Sequence, residues 1–171
     1  MKKKGLCDVY LVGEGEHTVK KVLDGKLTGP GISDEHPLQL DNINDLPFPN
    51  YGFYDLDRYD YLTENKEVFI VGSRGCVRRC TYCDVARYWP KFRFRSGQNI
   101  ADEMIQHYER HGVTDFYFTD SLVNGSMKAF NDMCESLAKY NSQHKAGFRW
   151  KGQFIFRPKN QLPQDHFATV A

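Results

Sequence analysis

Three short apolar runs punctuate the chain, and each is followed by the beginning of a helical repeat. Residues 68–71 (VFIV) are apolar without interruption and partly β-branched, the pattern of a strand covered on both faces. Asn99 then offers a cap for a helix to about His111, with Asp102 and Glu103 in its first turn and Gly112 as its stop. Ile100, Met104 and Tyr108 share one face of that helix. Residues 115–119 (DFYFT) predict a second strand. Ser126 caps a second helix to about Tyr140, with Met127, Phe130, Cys134 and Leu137 on one face. A third strand is expected over about residues 148–156, and Pro163 suits the first turn of a third helix. This alternation predicts an α/β fold of parallel strands with right-handed crossovers. Three strands cannot close a barrel, and the third would leave an unpaired edge. Both ends of the chain therefore read as unfinished units, and the chain as a fragment or one part of a split protein.

Upstream, residues 8–12 (DVYLV) read as a short buried strand, followed by the turn Gly13, Glu14, Gly15, Glu16 and a helical stretch from His17 to Leu23 that stops at Gly25. One such unit cannot bury its own faces, and it reads as the end of an α/β domain. Residues 26–66 carry Pro37, Pro47 and Pro49 among aromatics and aspartates, so they read as an ordered strap rather than a flexible linker. The organisation expected is a remnant domain at 1–25, a linker at 26–66 and a strand-and-helix domain at 67–171.

Composition narrows the class. The chain has 171 residues, one domain's worth or one domain and a piece of another, and its net charge of +1 selects no partner globally. Aromatics make up 14% of it, which argues against wholesale disorder. No apolar run approaches the roughly 20 residues needed to span a bilayer, and the basic start is followed by an apolar run too short for a secretory signal. A cytoplasmic, reducing setting is expected, with no membrane partner. There, five cysteines suit metal binding or catalysis better than disulfides.

Cys76, Cys80 and Cys83 are spaced Cys-x-x-x-Cys-x-x-Cys just beyond the first strand. Three thiols at such spacing can converge on one metal centre. A cubane iron–sulfur cluster takes about four thiolates, so three local cysteines leave one iron open for substrate or cofactor. Cys134 is the downstream candidate for a fourth, but its place on an apolar helix face assigns it to the core. Structural zinc is the competing reading, with Cys80 and Cys83 as one pair and His107, His111 or Cys134 as conceivable partners.

GCVRRCTYC, with Tyr82 ahead of the third cysteine, resembles the cluster motif of the radical S-adenosylmethionine (SAM) enzymes. The resemblance implies a (β/α) radical SAM barrel, of which the chain holds about three strands. It also implies that Cys76, Cys80 and Cys83 hold a [4Fe-4S] cluster whose fourth iron binds SAM, which is then cleaved reductively to start radical chemistry. GEGEHTVKKVLDG, LPFPNYGFYDLDRY and FRFRSGQNIADEM further resemble the join between a Rossmann-like cobalamin-binding domain and a radical SAM domain. The Gly-Gly-Glu that many members carry after the second strand is replaced here by TDSL. Asp120 is the substitute for that SAM contact and Ser121 the lesser one, against Asp120 merely capping a strand end. The cobalamin signature Asp-x-His-x-x-Gly is absent, so cobalamin belongs to full-length homologues rather than to this chain alone.

Arg74, Arg78, Arg79, Arg87, Lys91, Arg93 and Arg95 crowd the motif, against Asp84 alone. Most read as a solvated rim. An acidic electron donor such as flavodoxin or ferredoxin is the sharper partner, and nucleic acid the lesser one. Three functions are compared: a radical SAM enzyme acting on an unknown substrate, a tRNA methylthiotransferase-like protein, and an inactive iron–sulfur or zinc-binding remnant. The spacing itself does not choose the substrate.

Overall fold

The structure is a computed structural model, and it describes residues 9, 11, 13–26, 39–58 and 66–156. The chain forms two compact units, Met1–Asp41 and Asn42–Ala171. In the first, helix α1 spans Glu16–Leu23 behind Gly13, whose φ of 85° is open to glycine without strain. Glu14 is buried there and accepts the Leu40 N–H at 2.5 Å. Of the strand expected over residues 8–12, Leu11 makes an isolated bridge and most of the rest lies outside the described residues.

The second unit holds a parallel sheet of β1 (Glu67–Ile70), β4 (Asp115–Phe118) and β5 (Arg149–Lys151), in the order β1-β4-β5. Between β1 and β4 lie a small antiparallel pair, β2 (Ser73–Arg74) and β3 (Arg93–Phe94), the one-turn helix α2 (Val85–Tyr88) and the helix α3 (Gly97–His111). Helix α4 (Met127–His144) joins β4 to β5. The strand-and-helix alternation and the parallel pairing are as the pattern predicts. The closing pair β2–β3 was not foreseen.

Two further expectations are corrected. The first strand is covered on one face only: Val68 and Ile70 are buried, while Phe69 is 54% exposed. The reason is that α3 and α4 contribute to one core. Ile100 and Met104 from the first helix and Phe130, Met133 and Leu137 from the second join Val68, Ile70, Phe116 and Phe118. The last strand stops at Lys151 instead of running to 156, because the following segment turns to the loop after β4. There buried Asn124 imitates a strand edge, donating to the Ile155 carbonyl at 2.8 Å and accepting its N–H at 3.1 Å. The helix expected at Pro163 lies outside the described residues.

Helix ends follow side-chain chemistry. Ser126 caps α4 as expected, and Gly112 ends α3 with φ 66° and N–H bonds back to the His107 and Tyr108 carbonyls. The start of α3 is capped by Ser96, which accepts the Asn99 N–H at 3.2 Å, rather than by Asn99 itself. That moves Glu103 out of the first turn and into the core side of the helix. The strap residues 42–58 belong to this unit, with Ile43 buried and the Tyr51 ring edge-on to His107 at 5.1 Å. Among the described residues no helix is long and apolar enough to cross a membrane.

The tightest joint is between α3 and α4 at Gly97. A Cβ there would overlap the Ala129 carbonyl and the Met133 nitrogen and sit 2.7 Å from the Asp132 Cβ. Most of those neighbours are backbone and cannot step aside. Gly97→Ala, usually favourable in a helix, should therefore destabilise the fold by at least about 2 kcal/mol. Urea denaturation checks this; a variant as stable as the wild type would mean that the helices can separate without loss.

Candidate functional site

The three cysteines stand on the loop that β2 and β3 close. Its entry depends on Gly75, with φ 90°: a Cβ there would lie 2.9 Å from the Lys91 carbonyl and 3.3 Å from the Phe92 Cα. The two ends of the loop thus meet backbone to backbone. Within it the Arg78 N–H points at the Cys76 sulfur at 3.4 Å, and the Cys83 N–H closes a turn on the Cys80 carbonyl at 3.1 Å. Asp84 then starts α2, its carbonyl accepting from Arg87 and Tyr88 at 2.9 and 3.0 Å. Cys76 is half-buried, Cys80 and Cys83 are exposed, and none is in a disulfide. Tyr82 is 90% exposed.

The donor set fits an iron–sulfur cluster: three thiols without disulfide partners, on a loop with one carboxylate and no histidine. Their convergence is a different matter. Among the described residues no three Cys, His, Asp or Glu side chains are grouped to hold a metal ion. The loop carries the three thiols but does not gather them as it stands. Cys134 is apart from the set: it lies in the core, where burial and Glu135 push its thiol up to about 12.

What is fixed is the loop's root. Asp120, buried at the C-terminal end of β4, accepts the Gly72 N–H at 2.9 Å and the Ser73 hydroxyl. From beyond β3, the Arg95 N–H donates to the Gly72 carbonyl at 2.8 Å and its guanidinium to the Val71 carbonyl at 3.1 Å. Residues 71–73 are therefore held from two elements. Ser121 stands half-buried next to Asp120.

Most of the basic residues lie at the surface as expected, and Arg93 and Arg95 are the buried exceptions. Arg95 is 7% exposed, ion-paired with Glu103, and bonded to the Asn99 side chain at 2.6 Å and its carbonyl at 3.0 Å. Its guanidinium also lies over the Phe48 ring of the strap. Arg93 is equally buried, over the Trp89 ring at 5.8 Å. Arg78, Arg79, Arg87 and Lys91 are exposed. Sequence reasoning missed Arg95, Glu103 and Asn124 as determinants of the site's surroundings.

No protein-family model matches the chain. It is 24% identical over 148 residues to the cytidylyl-2-hydroxyethylphosphonate methyltransferase of Streptomyces wedmorensis, covering 78% of this chain and 27% of that protein. It is 29% identical over 142 residues to the anaerobic magnesium-protoporphyrin IX monomethyl ester cyclase of Rubrivivax gelatinosus, covering 82% of this chain and 24% of that protein. A third relative, the bacteriochlorophyllide d C-12(1)-methyltransferase of Chlorobaculum tepidum, is 30% identical over 60% of this chain and 21% of its own. The chain thus spans about a quarter of the length of these curated relatives.

Burial raises the Asp120 carboxyl above its usual range, while the bonds from Ser73 and Gly72 pull it back. The native state then holds this proton to higher pH than the unfolded chain does. Stability from it is full below the unfolded value and is lost as pH rises through the raised one. Asp120→Asn keeps the shape without the charge, so its stability relative to wild type should improve between about pH 4 and pH 7. A wild-type-to-Asn difference that stays constant in urea melts across that range would refute the raised carboxyl. Native alkylation should modify Cys80 and Cys83 while sparing Cys134 until denaturant is added, as read by peptide mass spectrometry. Rapid labelling of Cys134 would place it outside the core.

Proposed function

We propose that the chain is the N-terminal part of a radical SAM barrel, and that Cys76, Cys80 and Cys83 would hold a [4Fe-4S] cluster. The observation that carries this reading is the donor set: three thiols on one exposed loop beyond the first strand of a parallel α/β sheet. When bound, the cluster supplies the one-electron reductive cleavage of SAM that begins radical chemistry. The methyltransferase and cyclase names of the relatives support methylation or ring formation on a small organic molecule as the reaction of the whole protein.

The chain's own residues have separable parts in this reading. Asp120 and Arg95 hold the root of the cysteine loop, so the loop leaves the sheet from a set position. Asp120 has both oxygens engaged by residues 72 and 73, which leaves Ser121 as the polar side chain at that strand end for the methionine part of SAM. Tyr82, exposed beside Cys83, is suited to cover the bound cofactor. The cytoplasm, where thiols remain reduced, is the setting these cysteines require.

After anaerobic reconstitution, the wild type should carry about four irons per chain, and the electron paramagnetic resonance signal of the reduced protein should change when SAM is added. Alanine at Cys76, Cys80 or Cys83 should abolish iron uptake, and Cys134→Ala should leave it intact. Zinc bound in place of iron, or a signal indifferent to SAM, would defeat the proposal.

A further inference from the structure

The cysteine loop and the strand end that carries Asp120 and Ser121 are pinned to each other at two places. The first pin is polar and lies at the loop's root, where Asp120 accepts from Gly72 and Ser73. The second is apolar and lies at the loop's exit. Phe92, one residue ahead of β3, sets its ring on Gly125 in the segment that leads from β4 to α4. A Cβ on Gly125 would lie 2.5 Å from the Phe92 Cζ and 3.0 Å from its Cε2. Gly125 is outside the left-handed region, so its backbone would admit alanine; the space is taken by the ring.

The main chain of Phe92 is met from the other side. A Cβ on Gly75, the residue before Cys76, would lie 3.3 Å from the Phe92 Cα. Phe94 stacks on the Phe92 ring at 5.7 Å. Phe92 thus meets the cysteine loop through its main chain and the segment after β4 through its side chain. That segment is held in turn. Val123 donates its N–H to the Gln153 carbonyl at 2.9 Å, Asn124 is bonded to Ile155, and a Cβ on Gly152 would lie 2.5 Å from the Val123 Cγ2. The ring therefore rests on a surface with little room to give. Asp120 alone would let the loop pivot about its root. The ring at the exit removes that freedom.

Resting on the iron–sulfur reading above, we infer that Phe92 is a positioning residue: seated on Gly125, it sets the cysteine loop against the strand end that carries Ser121. Under that reading the loop and Ser121 bind one SAM molecule together, so their registry decides how well it is held. A displacement of about 1 Å between two such groups is costly, because neither binds the whole cofactor alone. A ring with only a structural part would matter for stability. A positioning ring acts on SAM while leaving the thiols able to take up iron.

The test compares wild type with Phe92→Ala, Phe92→Leu, Gly125→Ala and the double variant Phe92→Ala with Gly125→Ala, each reconstituted anaerobically with iron and sulfide. All should carry about four irons per chain. The SAM concentration that half-converts the electron paramagnetic resonance signal should rise about tenfold or more in Phe92→Ala and in Gly125→Ala. Phe92→Leu, which keeps apolar bulk over Gly125, should restore most of the response. Adding Gly125→Ala to Phe92→Ala should cost nothing further, because the ring that the new methyl would strike is gone. In iron-free protein, alkylation of Cys76 should quicken about fivefold or more in Phe92→Ala, with Cys134 still protected. If Phe92→Ala fails to fold, Gly125→Ala against Phe92→Leu makes the same comparison. A SAM response unchanged in both single alanine variants, additive effects in the double, or iron lost in step with the thermal melt would overturn the inference. So would a Cys76 labelling rate indifferent to Phe92. A wild type that takes up no iron defeats the cluster reading, while faster Cys76 labelling in Phe92→Ala still upholds the hold of Phe92 on the loop.

Discussion

The fold around the candidate site depends on one buried charge pair. Arg95 and Glu103 are nearly inaccessible, at 7% and 1% exposure. Such a pair is costly to desolvate, and it persists only when its remaining donors and acceptors are satisfied. Here they are: the guanidinium reaches Glu103, the Asn99 side chain and carbonyl, and the Val71 carbonyl. One side chain thereby ties the end of β1 to the first turns of α3, with the Phe48 ring of the strap beneath it. Buried His107 lies 3.6 Å from Glu103 without a hydrogen bond to it, and Tyr51 packs edge-on against that imidazole. Burial also raises the Tyr51 phenol above its usual value, with the Glu103 charge adding to the effect.

The consequence is a contrast between root and tip. Residues 71–73 are held by Arg95 from one side and by Asp120 from the other, in the interior. The cysteines a few residues beyond are half-buried or exposed, in a segment that turns locally at Cys80–Cys83 and at Asp84. A rigid scaffold that presents its chemistry on a loop is a common arrangement, because the loop can adapt to a ligand while its origin stays fixed. The sulfurs are not grouped in this structure, while residues 71–73 at the root of their loop are bonded from both sides.

The open face of the sheet belongs to the same picture. Phe69 and Tyr117 pack at a tilt, 5.8 Å apart, on the face away from the helices; Lys151 lies over the Tyr117 ring and pairs with Glu67, and Arg149 pairs with Asp115 across the first residues of β5 and β4. Ligands in parallel α/β sheets gather at the carboxyl ends. The cysteine loop, Asp120 and Ser121 all follow strand ends of that kind.

Much of this was legible in the sequence. Apolar periodicity placed both long helices, and Ser126 and Gly112 marked their ends, because capping is decided by residues a few positions apart. The cysteine spacing defined a donor set for the same reason: proximity along the chain is proximity in space. Tertiary structure alone decided the rest. Which face of VFIV is covered depends on where two helices pack, and whether Arg95 is rim or core depends on Glu103 two helical turns away. Asn124 became a partner for Ile155 because the chain folds back on the sheet over a separation of 31 positions. Polar side chains carry no mark of their burial. Their place is set by partners that the fold brings from a distance, and those partners turn an arginine or an asparagine from a surface residue into a fastening.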